Sequence, residues 1–381
     1  MAGQDWLILS INGELSDEWK KYGLHMYNSY EKFCGKLRLE DIFTTDSVYL
    51  SAKRCASGFM KKNDTWYYQQ NSWINSRKLC QKVLMGTFKP KYYRQRVINE
   101  RGKQRIIKPP VFECKIVQKV LCDYIIRPLL EPRMIQTNYA SVKGRGTKKL
   151  YEDILQSLNR LLGKSEKYYV IKSDYSNYFG NIDTEVLIYD ILARYLKDER
   201  LLELFHLFSP DELGLSLGNE VSQIPASYFP SEFDHYCKDR KGWSYFRYMD
   251  DSLVILQESE IREYEIALER YTKRLHITLK EDKKEIFPLG TSFIFCKERF
   301  LIDKENGNYY RFMNPAIMRN EVRKLKTFQK KLSGGEMTKE AIDLQYRGVL
   351  GSIAGHPNTY HARKLLNDLY EAISRKEAEK V

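Results

Sequence analysis

Two adjacent aspartates, Asp250 and Asp251, stand between two short apolar runs, Ser244-Tyr245-Phe246-Arg247-Tyr248 and Ser252-Leu253-Val254-Ile255-Leu256. Runs of this kind on either side of a tight polar turn read as a β-hairpin. A hairpin tip puts both carboxylates at one end of a sheet. A third aspartate, Asp174, closes another apolar strand, Tyr168 to Ser173. Three carboxylates on strand ends of one sheet can converge on a small volume. Left unpaired they repel, and one tends to keep its proton. Divalent cations remove that penalty, and Mg²⁺ favours carboxylate oxygens together with waters and phosphates. Two such ions stabilise both the attacking and the leaving oxygen of an in-line phosphoryl transfer. An Asp-Asp turn alone is more often a solvated hairpin tip; the recurrence at Asp174 weighs against that reading.

The segments around these aspartates predict an α+β fold. From residue 168 to 287 the order is strand, helix, helix, hairpin, helix, strand, with Thr184 to Leu196 and Glu260 to Leu275 as helices and Ile277 to Phe287 as the last strand. This suggests a sheet with helices on one face. Upstream, Asn71 to Met85 reads as a helix stopped by Gly86, and Tyr22, Tyr27, Tyr30 and Phe33 form a stripe of helical spacing. Tyr92 to Ile98 and Lys103 to Lys108 read as a basic hairpin around Asn99-Glu100-Arg101-Gly102. Val111 to Leu129 and Lys148 to Leu162 read as helices, and residues 314 to 381 as a basic helical bundle.

Charge is distributed unevenly. The chain carries a formal net charge of +13 over 381 residues, with +11 in residues 91–150, +6 in residues 311–381 and −4 in the remainder. Two basic regions around a slightly acidic middle are the footprint of a protein that binds a polyanion. Solvated helix faces are the plainer alternative. Seven scattered cysteines without a C-x-x-C pair give no zinc site and no disulfide framework. No apolar window of about 18 residues is present, and the first residues lack the features of a secretory signal. A cytoplasmic protein without a membrane partner is expected.

Three ordered motifs resemble reverse transcriptases. Tyr248-Met249-Asp250-Asp251 is similar to their Y-x-D-D box. Ile171 to Asp183, with Asp174 followed by Tyr178-Phe179, resembles their first palm motif. Gly214-Leu215-Ser216-Leu217-Gly218-Asn219-Glu220-Val221-Ser222-Gln223 resembles the second, a glycine loop under the nascent base pair. The similarity runs from about residue 80 to 370. It implies a right-hand polymerase: an N-terminal extension, mainly helical (1–80), fingers (81–167), a palm with a ferredoxin-like sheet (168–313) and a helical thumb (314–381). The implied activity is RNA-directed DNA synthesis, a nucleotidyltransferase reaction.

By that resemblance Asp174, Asp250 and Asp251 are catalytic. They bind two Mg²⁺ ions, for which Mn²⁺ can substitute, with the Tyr175 carbonyl as a further ligand. Phe179 would exclude a ribose 2′ hydroxyl, with core packing as its plainer role. Lys103 and Arg105 on the basic hairpin would hold the triphosphate. Ser222 and Gln223 would face the template–dNTP pair, or simply cap a helix. Lys283 would lie near the leaving pyrophosphate, with Lys280 and Lys284 as competitors for that role. Lys143 and Arg145, in a glycine-flexed loop, and Arg319, Arg323, Lys326 and Lys330, on one face of a helix, would contact nucleic acid. The implied partners are an RNA template, in particular a dedicated non-coding RNA, its DNA product and dNTPs, with an accessory protein or a second copy of the chain as further candidates.

Within the family the chain resembles the prokaryotic "unknown group" and abortive-infection lineage of antiphage defence, close to the diversity-generating retroelement enzymes. The Leu-Gly-Asn-x-x-Ser-Gln pattern at 217–223 and the Lys-Gly-Arg-Gly-Thr loop carry this likeness. Leu289-Gly290-Thr291, in place of Phe-Leu-Gly, and the long N-terminal region favour the defence lineage over diversification. A non-catalytic RNA-binding scaffold on the same fold is the reading from a different class.

Overall fold

The structure is a computed structural model that describes residues 35–57, 63–100, 103–209, 211, 213–303, 305–357 and 359–378. The tyrosine stripe expected at Tyr22 to Phe33 lies outside the described residues. Among the described residues the fold is mixed α+β, with three antiparallel sheets among many helices.

Among the strands, a basic hairpin comes first. β1 (Arg96–Glu100) pairs with β2 (Lys103–Ile107), and Tyr92 bridges Pro110 at its foot. Next is a four-stranded sheet of β3 (Tyr168–Asp174), β4 (Ser244–Tyr248), β5 (Asp251–Gln257) and β6 (Glu285–Pro288) in the order β4-β5-β3-β6. A three-stranded sheet, β7 (Phe293–Phe295), β8 (Glu298–Ile302) and β9 (Tyr309–Met313), follows.

Both faces of the four-stranded sheet are covered, not one as the sequence suggested. Val170, Phe246, Leu253 and Ile255 point to one side, against Leu150, Ile154 and Leu158 of the helix Thr147–Leu162 and against Phe293, Phe300 and Tyr309 of the second sheet. Ile171, Tyr245, Val254 and Leu256 point to the other, against Tyr264 and Leu268 of the helix Ile261–Arg274 and against Phe233 and Cys237. Side chains on a strand alternate between faces. A strand buried on both sides therefore reads as an unbroken apolar run, as these do.

The helices Thr45–Ala56 and Ser72–Leu84 pack on Phe112–Leu121 in one core that also takes in Leu201, Phe205 and Ile224. The boundary expected at residue 80 falls inside this core. The helices Pro315–Ser333, Lys339–Ala354 and Tyr360–Ala378 close a separate core around Leu325, Ile342, Ile353 and Leu366. His356 pairs with Glu298, which is fully buried at the start of β8, and so joins this bundle to the second sheet.

Several expected elements differ: the helix over Val111 to Leu129 contains a π-turn at Cys122–Ile126, and the first hairpin strand runs from Arg96 to Glu100. The helix expected over Thr184 to Leu196 is a π-turn at Val186–Ile191 followed by a 3₁₀ turn at Leu192–Arg194. The strand expected over Ile277 to Phe287 pairs only from Glu285; residues before it form a loop with a 3₁₀ turn at Glu281–Lys283. Among the described residues, no helix is long and apolar enough to cross a membrane.

Candidate active site

Register brings the aspartates together. β3 and β5 pair with Asp174 directly opposite Asp251, and Ser173 opposite Ser252. β4 and β5 pair with Tyr248 opposite Asp251, which leaves Met249 and Asp250 as a two-residue turn. Tyr175 donates its backbone N–H to the Asp250 carbonyl at 3.2 Å, tying the turn to the end of β3.

The electrostatics follow from this crowding. Burial, and then the charge of Asp174, raise the Asp250 carboxyl above its ordinary value. Burial, with Asp250 and Asp174 adding to it, pushes Asp251 up to about 6. Burial acts to raise Asp174 too, but hydrogen bonds from Lys280 and Lys283 outweigh it and hold the carboxyl low. Lys280 Nζ lies 2.9 and 2.8 Å from the two Asp174 oxygens, and Lys283 Nζ lies 2.6 Å from Oδ2. The loop that replaced an expected strand makes this possible, because it folds residues 280–283 back over the end of β3. Tyr175 bridges Leu279, and the Lys280 N–H reaches the Asp174 carbonyl at 2.9 Å. The bonds of that bridge use the Asp174 carbonyl and the Ser176 N–H and leave out the Tyr175 carbonyl. Lys284 turns away and pairs with Glu265. The Cys296 thiol donates to Asp251 Oδ2 at 3.8 Å, a neighbour that the sequence did not signal.

Three carboxylates, two of them held above their ordinary values first by burial and then by their neighbours' charge, are hard-oxygen donors of the kind that divalent cations take. Among the described residues no three His, Cys, Asp or Glu side chains stand ready as a metal cage. The Asp174 oxygens face the two lysine ammonium groups instead.

The glycine loop is wedged between the aspartate site and the basic hairpin. Leu215 N–H donates to the Phe179 carbonyl at 2.7 Å and Gly214 N–H to the Ile182 carbonyl at 2.9 Å. Gly214 has φ +98°, and a Cβ there would lie 3.3 Å from the Gly180 carbonyl oxygen. Gly218 has φ +106°, and a Cβ there would lie 3.2 Å from Ile107 Cγ2 at the foot of the hairpin. Both glycines thus combine a positive φ with a close approach, so a side chain at either position would be strained.

Other expected site residues are placed as follows. Phe179 is half-buried, edge-on to Tyr178 with ring centroids 6.1 Å apart. Gln223 is exposed on the first turns of the helix Glu220–Tyr228, whereas Ser222 is buried, its hydroxyl without a partner among the described residues. The same helix turn that exposes Gln223 points its neighbour Ser222 inward. Arg105 is exposed on β2, and the side chain of Lys103 lies outside the described ones. Lys143 is exposed. Arg145 is only partly so: its Nη1 donates to the carbonyls of Ile135 (2.8 Å) and Asn138 (2.9 Å), so it shapes its own loop. Arg319, Arg323, Lys326 and Lys330 are all exposed on the helix Pro315–Ser333, opposite buried Glu321, Leu325 and Leu332.

Sequence reasoning passed over Arg247, whose side chain is fully buried in an ion pair with Asp234. The signal was there: an arginine inside an apolar strand needs a buried partner. No protein-family model matches the chain, and no curated protein matches it in sequence.

Proposed function

We propose that this chain is an RNA-directed DNA polymerase that extends a primer with dNTPs. The observation that carries the reading is the convergence of Asp174, Asp250 and Asp251, through the β3–β5 register and the Met249–Asp250 turn, at one end of the sheet. The strand order β4-β5-β3-β6, with its β-α-β-β-α-β connectivity, is the order of a ferredoxin-like sheet and supports assigning this region as a palm. The basic hairpin, which meets the glycine loop at Gly218, then corresponds to fingers, and the C-terminal bundle to a thumb.

Asp174, Asp250 and Asp251 would hold two Mg²⁺ ions, whose chemistry is Lewis-acid stabilisation of the attacking and leaving oxygens in phosphoryl transfer. The protein's own residues do the rest. Lys280 and Lys283 keep positive charge beside Asp174, where the leaving pyrophosphate needs counter-charge. Phe179, whose carbonyl accepts the Leu215 N–H of the glycine loop, would crowd the position of a sugar 2′ substituent. Arg105 adds charge from the hairpin, and Gln223 offers an exposed amide at the head of its helix. The exposed cations of Pro315–Ser333 track the backbone of the duplex. A dedicated RNA template and a role in antiviral defence fit the same reading.

The test is Mg²⁺-dependent dNTP incorporation on a primed RNA. Asp250→Asn should lower it by ~10³-fold, since the metal's contribution is several kcal/mol and each tenfold is about 1.4 kcal/mol. Undiminished synthesis by that variant would refute the site.

A further inference from the structure

The turn that carries Asp250 is held in an unfavourable backbone conformation. Met249 has φ +54°, a region that side chains with a Cβ avoid. Such a residue persists only where its surroundings over-determine it. Here the surroundings include one buried guanidinium. Arg247 Nη1 donates to the Met249 carbonyl at 3.0 Å. Its Nε lies 2.8 Å from both Asp234 oxygens, and its Nη2 donates to Asp234 Oδ2 at 2.6 Å and to the Ser227 carbonyl. Both side chains are essentially inaccessible, 0 % exposed for Arg247 and 1 % for Asp234. Tyr245 OH adds a bond to Asp234 Oδ1 at 3.0 Å. The Arg247 backbone is also fixed, since its N–H reaches the Thr137 carbonyl and its carbonyl receives the Tyr139 N–H, each at 3.0 Å.

We infer that Arg247 and Asp234 are positioning residues, a buried clamp that holds the Met249–Asp250 turn in the one conformation that aims Asp250 at Asp174 and Asp251. The guanidinium touches no reacting atom. It reaches the site through the Met249 carbonyl. A planar, permanently charged fork suits this work, because it can bind a carboxylate and two carbonyls at once. Lysine, with one nitrogen, cannot span them.

This inference rests on the metal-binding reading above, and the experiment separates the two. Removing Arg247 alone would strand a buried Asp234 charge, so both are changed: Arg247→Met with Asp234→Asn, in the full chain. That pair keeps the volume and leaves Tyr245 an acceptor, but it loses the bond to Met249. Mn²⁺ affinity is measured by electron paramagnetic resonance. Outer-shell changes of this kind weaken metal binding ~10–100-fold, and that loss is expected here. Adding Met249→Gly, which accepts a positive φ without strain, should recover most of it. An affinity within about twofold of the unmodified chain would overturn the clamp, as would a failure of the glycine to rescue. If the unmodified chain binds no Mn²⁺, the metal reading fails, and the clamp is judged by the ¹³C-methyl resonance of Met249, assigned by its absence in Met249→Gly. A shift or broadening in the Arg247/Asp234 double variant supports the clamp; an unmoved resonance overturns it.

Discussion

Replacing Asp251 by asparagine should make the ion-free protein more stable, the reverse of what most substitutions in a buried site do. Burial, with Asp250 and Asp174 close by, raises the Asp251 carboxyl to about 6, against an ordinary value of 3.8. A shift of roughly two units corresponds to about 3 kcal/mol at 1.36 kcal/mol per unit. Asp251 is partly open to solvent, which screens the repulsion and reduces this to ~1–2 kcal/mol. The sign follows from proton binding. Between about pH 4 and pH 6 the folded state holds the proton more tightly than the unfolded state, so stability falls as pH rises. Above about pH 6 the folded state carries the full penalty, and below about pH 4 neither state is charged. The asparagine variant should therefore exceed the unmodified chain in stability near neutral pH, and the gap should close by about pH 4. Thermal or urea unfolding in EDTA, followed by circular dichroism, reads this as a Tm rise of ~1–3 °C. Adding Mg²⁺ should narrow or reverse the gap, because only the native carboxylate gains by ligation. A variant less stable than the parent in EDTA at neutral pH, or a gap that does not change with pH, would refute the electrostatic account of the site.

Two further substitutions test the proposed roles. Phe179→Ala should lower the preference for dNTPs over rNTPs by ~10-fold or more in single-nucleotide incorporation, and unchanged sugar selectivity would remove Phe179 from the nucleotide site. Changing Arg319, Arg323, Lys326 and Lys330 together to glutamine should leave the bundle folded, since all four are exposed. It should reduce the slope of log affinity against log salt for an RNA–DNA duplex by ~3, at roughly 0.7–0.9 for each phosphate that is no longer neutralised. A slope that does not change would mean that this face is solvated and unused.

Much of the fold was legible because a strand buried on both faces leaves an unbroken apolar run. β3, β4 and β5 begin and end within a residue of where their apolar runs do. The aspartates were legible for the same reason, since each borders such a run. The loop at 277–284 was not, because Ile277 and Leu279 alternate with polar residues as an edge strand would. There Lys280 and Lys283 pair with Asp174 across the strand end, a tertiary contact that no local pattern signals. The π-turn at Val186–Ile191 was hidden similarly, as its apolar spacing fits a helix and only the packing shifts its hydrogen bonds by one residue. Arg145 shows the limit of composition. A cation in a glycine-rich loop suggests phosphate, but the loop's own carbonyls at Ile135 and Asn138 engage it. Ser222 and Gln223 are neighbours that face opposite ways, which a motif match does not resolve.

The most direct measurement supplies the purified full chain with a primed RNA of known sequence, the four dNTPs and Mg²⁺, and sequences what is made. DNA complementary to that RNA, absent with Asp250→Asn and absent when the metal is chelated, is the result the account predicts. Product that is RNA, that ignores the template, or that persists in the Asp250→Asn protein would contradict it.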